Sequence, residues 1–153
     1  MPTPSSPPLL YLEDLAVGDT FVSPTYALDA QQIVAFATQF DPQPFHMDAQ
    51  AAQNTFFGGL AASGWHTMGI TMRLLVQSFP LAQGLIGASA QLHWPQPTRP
   101  DDVLQVTSTI QTITPSRSKP DRAIVEVECI TRNQHGAPLQ KLVCKVVAFK
   151  KPQ

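Results

Sequence analysis

The stretch "SGWHTMGITMRLLVQSFP", residues 63–80, decides the fold of this chain. Its apolar residues cover nearly every face of a helix, and a helix that is apolar on all sides is typically buried. Ser63 is a preferred N-cap residue, and Pro80 cannot continue a helix. The sequence therefore predicts a long buried helix from Trp65 to Phe79.

After this helix the apolar period changes from helical to two, which is typical of half-buried strands. Four such segments follow without an intervening helix, over residues 86–94, 104–110, 123–129 and 142–148. A lead-in strand and shorter helices precede the long helix. This order predicts an α+β fold in which a curved antiparallel sheet wraps one central helix.

The totals of the sequence limit the class of protein. A chain of 153 residues fits one domain, which we place over residues 10–150, after a Pro/Ser-rich tail over residues 1–9 that we expect to be disordered. The net charge of -1 gives no electrostatic reason to expect nucleic acid or a membrane surface as a partner. Only 14% of the residues are charged, which favours a surface partly covered by another subunit.

Cysteine usage and hydropathy indicate the compartment. Cys129 and Cys144 fall on neighbouring predicted strands, where a disulfide is possible but buried reduced thiols are favoured, since the N-terminus lacks a secretory pattern. The longest apolar region, residues 60–76, contains His66 and Arg73 and is too short to span a bilayer. We expect a cytoplasmic protein.

The stretch "FDPQPFHMD", residues 40–48, carries the candidate chemistry. An amphipathic helix capped by Asp29 should end at Asp41, because Pro42 disfavours helical geometry in the residue before it. Pro42 and Pro44 restrict the loop, so the side chains of Asp41 and His46 can be held in place before a substrate arrives. A carboxylate and an imidazole that share one water molecule can hold it and move its protons.

Gly64 adds a third group. A glycine at the start of a buried helix offers an unshielded backbone N–H where the helix dipole favours negative charge. Acid, imidazole and oxyanion donor together suit a reaction that passes through an enolate. The structural alternative is that Asp41 only makes a cap or local turn while His46 bonds a backbone carbonyl.

The segment "FATQFDPQPFHMDAQAAQNTFFGGLAASGWHTM", residues 36–68, resembles the hydratase motif of the MaoC-like acyl dehydratases, a family that includes the (R)-specific enoyl-CoA hydratases. The resemblance implies a hot-dog fold, with Asp41 and His46 as catalytic residues and the Gly64 N–H as the oxyanion donor. Two departures stand out. Gln43 occupies a position where many (R)-hydratases have Asn, and Asp101 in "HWPQPTRPDDVL" replaces a usual glycine.

The activity that the resemblance implies is reversible syn addition of water to a trans-2-enoyl thioester, giving an (R)-3-hydroxyacyl thioester. The substrate is an acyl-CoA or acyl-carrier thioester, so coenzyme A enters only as part of the substrate, and neither a metal nor a redox cofactor is expected. The expected assembly is a homodimer or an assembly of dimers, since the family dimerises by continuing its sheet. The candidate substrate-binding residues are Phe45, Ser63, Trp65 and Met68.

Two other functions remain open. Hot-dog thioesterases typically place a carboxylate on or near the central helix, and the predicted helix contains neither Asp nor Glu. A non-catalytic acyl-thioester-binding accessory subunit would be expected to have lost Asp41 or His46, and both are present. Arg73, Arg99, Arg117 and Lys119 are possible contacts for coenzyme A phosphates, although surface charge explains them equally well.

Overall fold

The structure is a computed structural model and describes residues 7–153, so most of the predicted N-terminal tail lies outside the described residues. A 3-10 turn over Leu12–Asp14 precedes strand β1 (Thr20–Ala27). Helices α1 (Ala30–Phe40), α2 (Pro44–Met47), α3 (Ala49–Ala52) and α4 (Gly64–Ser78) follow. The chain ends with strands β2 (Ile86–His93), β3 (Val103–Pro115), β4 (Arg122–Arg132) and β5 (Pro138–Phe149).

The five strands form one antiparallel sheet in the order β1-β3-β4-β5-β2, with β1 and β2 at its edges. Helix α4 packs against the sheet. Its buried residues Ile70, Leu74 and Leu75 belong to the same apolar core as Val127 of β4 and Leu142 of β5. A sheet that curves around one long helix confirms the predicted α+β hot-dog fold.

The outer face of α4 differs from the prediction. Trp65 is 60% exposed and Val76 is 56% exposed, and Met72 on the same side is also exposed. The expectation of a helix buried on all sides is therefore wrong for a single chain, because the sheet covers only one face of α4. Edge strand β2 is also exposed along almost its whole length.

The boundaries of α1 follow the sequence closely. Asp29 and Gln32 form the expected capping box, in which each side chain accepts from the backbone N–H of the other. The helix ends at Phe40, and the Asp41 N–H donates to Ala37 O as the C-cap. The C-terminal end of α1 thus places Asp41 at the start of the loop that carries the candidate catalytic residues.

Asp101 adopts a backbone conformation that favours glycine. Its φ of 71° lies in the left-handed region, which Asp tolerates better than most residues. Its N–H donates to Leu28 O at 2.7 Å, and the Leu28 N–H donates to Asp102 O at 3.0 Å. The link between β2 and β3 is therefore anchored to the chain between β1 and α1, and the departure from the family pattern leaves the turn intact.

Cys129 on β4 and Cys144 on β5 are free thiols, as the sequence favoured. A hydrogen bond with Cys144, together with burial, raises the pKa of the Cys129 thiol far above its ordinary value. None of the helices within residues 7–153 combines the length and the hydropathy that a membrane span requires. The same residues contain no group of three His, Cys, Asp or Glu side chains placed to hold a metal ion.

Candidate active site

The loop between α1 and α2 brings Asp41 and His46 together. Pro42 follows the last turn of α1, and Pro44 occupies the first turn of α2, where its missing N–H costs no helical hydrogen bond. His46 Nε2 lies 3.3 Å from Asp41 Oδ2. The side chains of both residues are largely buried. The proximity that the acid–imidazole spacing predicts is present in the folded chain.

A backbone carbonyl fixes the orientation of His46. Its Nδ1 donates to Ala61 O at 2.6 Å, and the Ala61 N–H donates in turn to Phe45 O at 3.0 Å. A carbonyl oxygen can only accept, so Nδ1 carries a proton and Nε2 is the nitrogen directed at Asp41. The structural alternative, a histidine bonded to the backbone, is thus true of one ring nitrogen while the other faces the carboxylate.

Both carboxylate oxygens of Asp41 accept hydrogen bonds. Gln43 Nε2 donates to Oδ1, and Ser63 Oγ donates to Oδ2 at 2.7 Å. Burial by itself raises the pKa of Asp41, but the bonds from Gln43 and Ser63 and the nearby His46 together outweigh it and lower the pKa below its ordinary value. Asp41 is therefore ionised at neutral pH and can accept a proton.

Ser63 joins the acid to the central helix. It is the N-cap of α4 and is completely buried, and its Oγ accepts from the Trp65 N–H at 3.3 Å. The same oxygen donates to Asp41. Ser63, predicted as a substrate-binding residue, thus contacts the carboxylate in this structure, and it lies outside the cavity lining.

Asp41, His46 and Gly64 line one cavity of about 510 Å³. Gly64 is the first residue of α4, and its N–H makes no hydrogen bond to any of residues 7–153. The cavity wall also includes Trp65, another of the predicted substrate-binding residues. The remaining wall is largely aromatic and proline-rich, formed by Phe56, Phe57, Ala62, Thr67, Trp94, Pro95, Gln96, Pro97 and Thr98.

The other two predicted substrate-binding residues lie elsewhere. The Phe45 ring packs edge-on against His46, with 4.6 Å between ring centroids, and it does not line the cavity. Met68 lines a second, apolar cavity between α4 and strands β2, β4 and β5. The structure thus brings Asp41, His46, Gly64 and Trp65 to one cavity and places Phe45, Ser63 and Met68 behind or beside it.

Sequence reasoning missed the support that Arg99 gives to the site. Its guanidinium donates to three carbonyl oxygens of the loop before α4: Gly59 O at 3.0 Å, Leu60 O at 3.3 Å and Phe57 O. This loop continues into Ala61, whose carbonyl orients His46. Three donors in a planar fork explain why an arginine stands here, and they account for Arg99 without a phosphate ligand. Its position in "PTRPDD" beside the predicted turn was the only signal in the sequence.

From the sequence, packing explains Trp94 at its strand end, and a hydrogen-bonded histidine at the start of the helix is favoured for His66 over one that faces the pocket. Trp94 instead forms a hydrogen bond from its Nε1 to Gln140 Oε1 at 2.9 Å, and its ring lies against Gly64. His66 stacks on Phe36 with ring centroids 4.5 Å apart, and burial lowers the pKa of His66. Its Nδ1 is buried without a partner among the described residues. His66 lies outside the cavity that holds Asp41.

Comparisons with known proteins agree with this fold. Residues 14–133 match the family model described as a MaoC like domain. The structure superimposes on a MaoC-like dehydratase from Rhodospirillum rubrum with a TM-score of 0.93 and 59% identity, covering 94% of this chain and 99% of that one.

Two further relatives have enzymatic names. An (R)-hydratase from Pseudomonas aeruginosa shares the fold, with a TM-score of 0.76 and 22% identity over 92% of this chain and 86% of that one. A 3-hydroxybutyryl-CoA dehydratase from Methylorubrum extorquens is 30% identical over 112 residues, which are 72% of this chain and 70% of the relative. On the family-model match and these similarities, the chain belongs to the MaoC-like dehydratase family.

Proposed function

We propose that this protein is an (R)-specific enoyl-thioester hydratase, which adds water reversibly to trans-2-enoyl thioesters to give (R)-3-hydroxyacyl thioesters. The observation that carries the proposal is the 3.3 Å separation of Asp41 Oδ2 and His46 Nε2 in the wall of the cavity that also holds Gly64. Membership of a family with dehydratase and hydratase members supports the same chemistry.

The hydrogen bonds of the pair define how water is held. With Nδ1 donating to Ala61 O, the uncharged tautomer of the His46 ring has its lone pair at Nε2, and the ionised Asp41 presents another at Oδ2. A water molecule can donate one hydrogen to His46 Nε2 and the other to Asp41 Oδ2, so both lone pairs accept a hydrogen bond. Its own lone pair is then free to attack.

The bond changes follow from this placement. The water oxygen attacks C3 of the enoyl thioester, and the proton that it loses passes to Asp41. The C2–C3 π electrons move toward the thioester oxygen, which accepts from the Gly64 N–H as it becomes negative. C2 then takes the proton, directly from Asp41 or by way of His46, so one water molecule is consumed. Loss of one oxyanion donor typically costs about 3–4 kcal/mol.

The reaction is neutral in electrons and needs no redox cofactor, and the proton transfers need only Asp41 and His46. Coenzyme A, or the arm of an acyl carrier protein, enters as part of the substrate. A thioesterase is the main competing function. It is disfavoured because α4, GWHTMGITMRLLVQS, contains no carboxylate, and because Asp41 and His46 are paired with each other.

The proposed assembly is a homodimer formed through edge strand β2 and the outer face of α4. An exposed strand edge offers unpaired backbone groups to another strand, and the exposed Trp65, Met72 and Val76 lie on the helix that this sheet wraps. A second copy of the chain supplies both a strand edge and an apolar helix face. The two edges then form one continuous sheet.

Incubation with crotonyl-CoA tests the activity. We expect the enoyl absorbance to decline without release of free thiol, and Asp41→Asn and His46→Gln to slow the decline by at least ~100-fold each. Circular dichroism and thermal melts establish that the variants fold. His135→Gln, in the exposed turn between β4 and β5, is the matched control and should retain the wild-type rate. Thiol release would identify a thioesterase, and wild-type rates in both variants would rule out the assigned pair.

A further inference from the structure

A second cavity of about 330 Å³ lies between α4 and strands β2, β4 and β5, and its open side is formed by Met72 and exposed residues of β2, which belong to the proposed dimer face. Its lining is apolar and comes from α4, β2, β4 and β5, including Met68, Met72, Leu142 and Cys144. Neither Asp41 nor His46 reaches it. The chain thus has an apolar compartment that the proposed chemistry does not use.

Gln140 stands between the two cavities. It is completely buried on β5, which is unusual for a glutamine and is tolerated only when its amide is paired. Its Oε1 accepts from Trp94 Nε1 at 2.9 Å, and its Nε2 donates to Thr71 Oγ1 at 3.0 Å and lies 3.6 Å from Met68 Sδ. Trp94 lines the first cavity and Met68 lines the second, so Trp94, Gln140 and Met68 form a partition between them.

Trp94 is held in this partition from two sides. The bond to Gln140 fixes its indole nitrogen, and its six-membered ring lies so close to Gly64 that a Cβ added there would fall 2.6 Å from Trp94 Cε2. Turning the indole aside would leave the buried Gln140 carbonyl without a donor, which is costly in a low-dielectric interior. Trp94 is 41% exposed, but its indole nitrogen is bound to Gln140 and its six-membered ring is packed on Gly64, so its position in the partition is fixed.

We propose that this partition selects short enoyl thioesters, with Trp94 as the specificity-determining residue and Gln140 as the residue that positions it. The inference rests on the proposed hydratase function, since it concerns how far the acyl chain can extend from the reacting carbons. A four-carbon enoyl group ends on the active-site side of Trp94. A chain several methylenes longer reaches the indole and meets the partition before it meets the apolar compartment.

Hydration of crotonyl-CoA and trans-2-octenoyl-CoA by the same protein tests the proposal. We expect the wild-type protein to favour the four-carbon substrate by at least ~10-fold in kcat/KM, since a single methylene at a pocket wall is worth about 10–200-fold. Trp94→Phe removes the indole N–H and shortens the wall. It should raise the octenoyl-to-crotonyl ratio of kcat/KM by at least ~10-fold.

Tyr26→Phe is the matched control, because Tyr26 also shares a hydrogen bond with a glutamine, Gln32, but lines neither cavity. It should leave the ratio unchanged. If Trp94→Phe does not fold, the wild-type ratio and the ratio for Gln140→Met test the proposal instead. Gln140→Met removes the acceptor of the indole N–H, so it should also raise the octenoyl-to-crotonyl ratio of kcat/KM.

The outcomes separate the two proposals. A wild-type protein that hydrates both thioesters equally well, or a Trp94→Phe ratio equal to that of the wild type, overturns the partition and leaves the hydratase function standing. A wild-type protein that hydrates neither thioester contradicts the hydratase function, and the partition proposal falls with it.

Discussion

At the scale of single residues, the pKa of Asp41 depends on its hydrogen-bond donors as well as on its burial. Gln43 and Ser63 each donate to a different oxygen of the carboxylate, and His46 faces it. These interactions stabilise the ionised form against a burial that would otherwise disfavour it, so the pKa of Asp41 is lowered. A base that must be ionised to accept a proton therefore remains active at lower pH than an unsupported buried carboxylate.

Ser63→Ala should change the pH dependence of the reaction. Without the donated bond, the pKa of Asp41 rises, so the acid-side fall in kcat/KM should move to higher pH. We expect kcat/KM at neutral pH to fall about 10-fold, the usual effect of losing a hydrogen bond to a charged group. The measurement is a pH–rate profile with crotonyl-CoA.

Ser78→Ala is the control for this variant, since Ser78 is also a serine of α4 and its hydroxyl donates to the Leu74 carbonyl, away from Asp41. Its profile should match that of the wild type. Because Ser63→Ala also removes an N-cap, a loss of about 1 kcal/mol in the free energy of unfolding is expected, and stability alone does not test the proposal. An unshifted acid limb would show that Ser63 does not tune Asp41.

At the scale of elements, the loop between α3 and α4 is positioned by the link between β2 and β3. Arg99 holds three of its carbonyl oxygens, and the Ala62 N–H donates to Thr98 O at 2.9 Å. The carbonyl of Ala61, which lies between these anchors, orients His46. The geometry of the acid–imidazole pair thus depends on two segments that contain neither residue.

Arg99→Lys should lower kcat more than it raises KM. A lysine offers one compact ammonium and cannot span the carbonyl oxygens that the planar guanidinium reaches, so the loop and Ala61 O lose part of their anchor. We expect a loss of about 10-fold in kcat, comparable to one hydrogen bond to a charged donor. Steady-state kinetics with crotonyl-CoA measure both constants.

Arg73→Lys is the matched control, because the Arg73 guanidinium lies over the Tyr26 ring, away from the loop. It should retain wild-type kinetics. Added guanidinium ion should partly restore kcat in Arg99→Ala, which separates a positioning effect from general loss of structure. No rescue, together with a wild-type kcat in Arg99→Lys, would contradict the role assigned to Arg99.

The local parts of the site could be predicted from sequence, because each signal lies among near neighbours in the chain. Asp29 and Gln32 start α1, Pro42 ends it, and the spacing of Asp41 and His46 is set by the short loop between them. The Trp94–Gln140 bond could not be predicted in this way, since its partners are 46 residues apart and nothing local marks the pairing. The same holds for Arg99 and the Phe57 carbonyl.

At the scale of the whole molecule, the outer face of α4 shows a limit of apolar patterning. The pattern correctly indicated that nearly all faces of the helix are apolar, but it does not say what covers each face. The sheet covers Ile70, Leu74 and Leu75, whereas Trp65 and Val76 remain exposed in the single chain. The proposed homodimer accounts for this face.

Val76→Glu should convert the dimer to a monomer. A carboxylate buried against a second α4 would be desolvated without a partner, which costs several kcal/mol. Val22→Glu is the matched control: Val22 is 59% exposed, close to the 56% of Val76, but lies on β1 at the opposite edge of the sheet. Light scattering after size-exclusion chromatography measures the mass. A wild-type monomer, or a dimer that survives Val76→Glu but dissociates with Val22→Glu, would contradict the proposed interface.

The hydroxyl of Ser63 has a consequence for how this protein can evolve. Ser63 Oγ both caps the central helix and donates to the Asp41 carboxylate, so under the proposed mechanism a substitution at this position changes thermal stability and turnover together. Substitutions that improve stability are usually tolerated at positions where they leave activity unchanged. Position 63 does not allow this separation. A substitution of Ser63 would need compensating changes for both stability and activity.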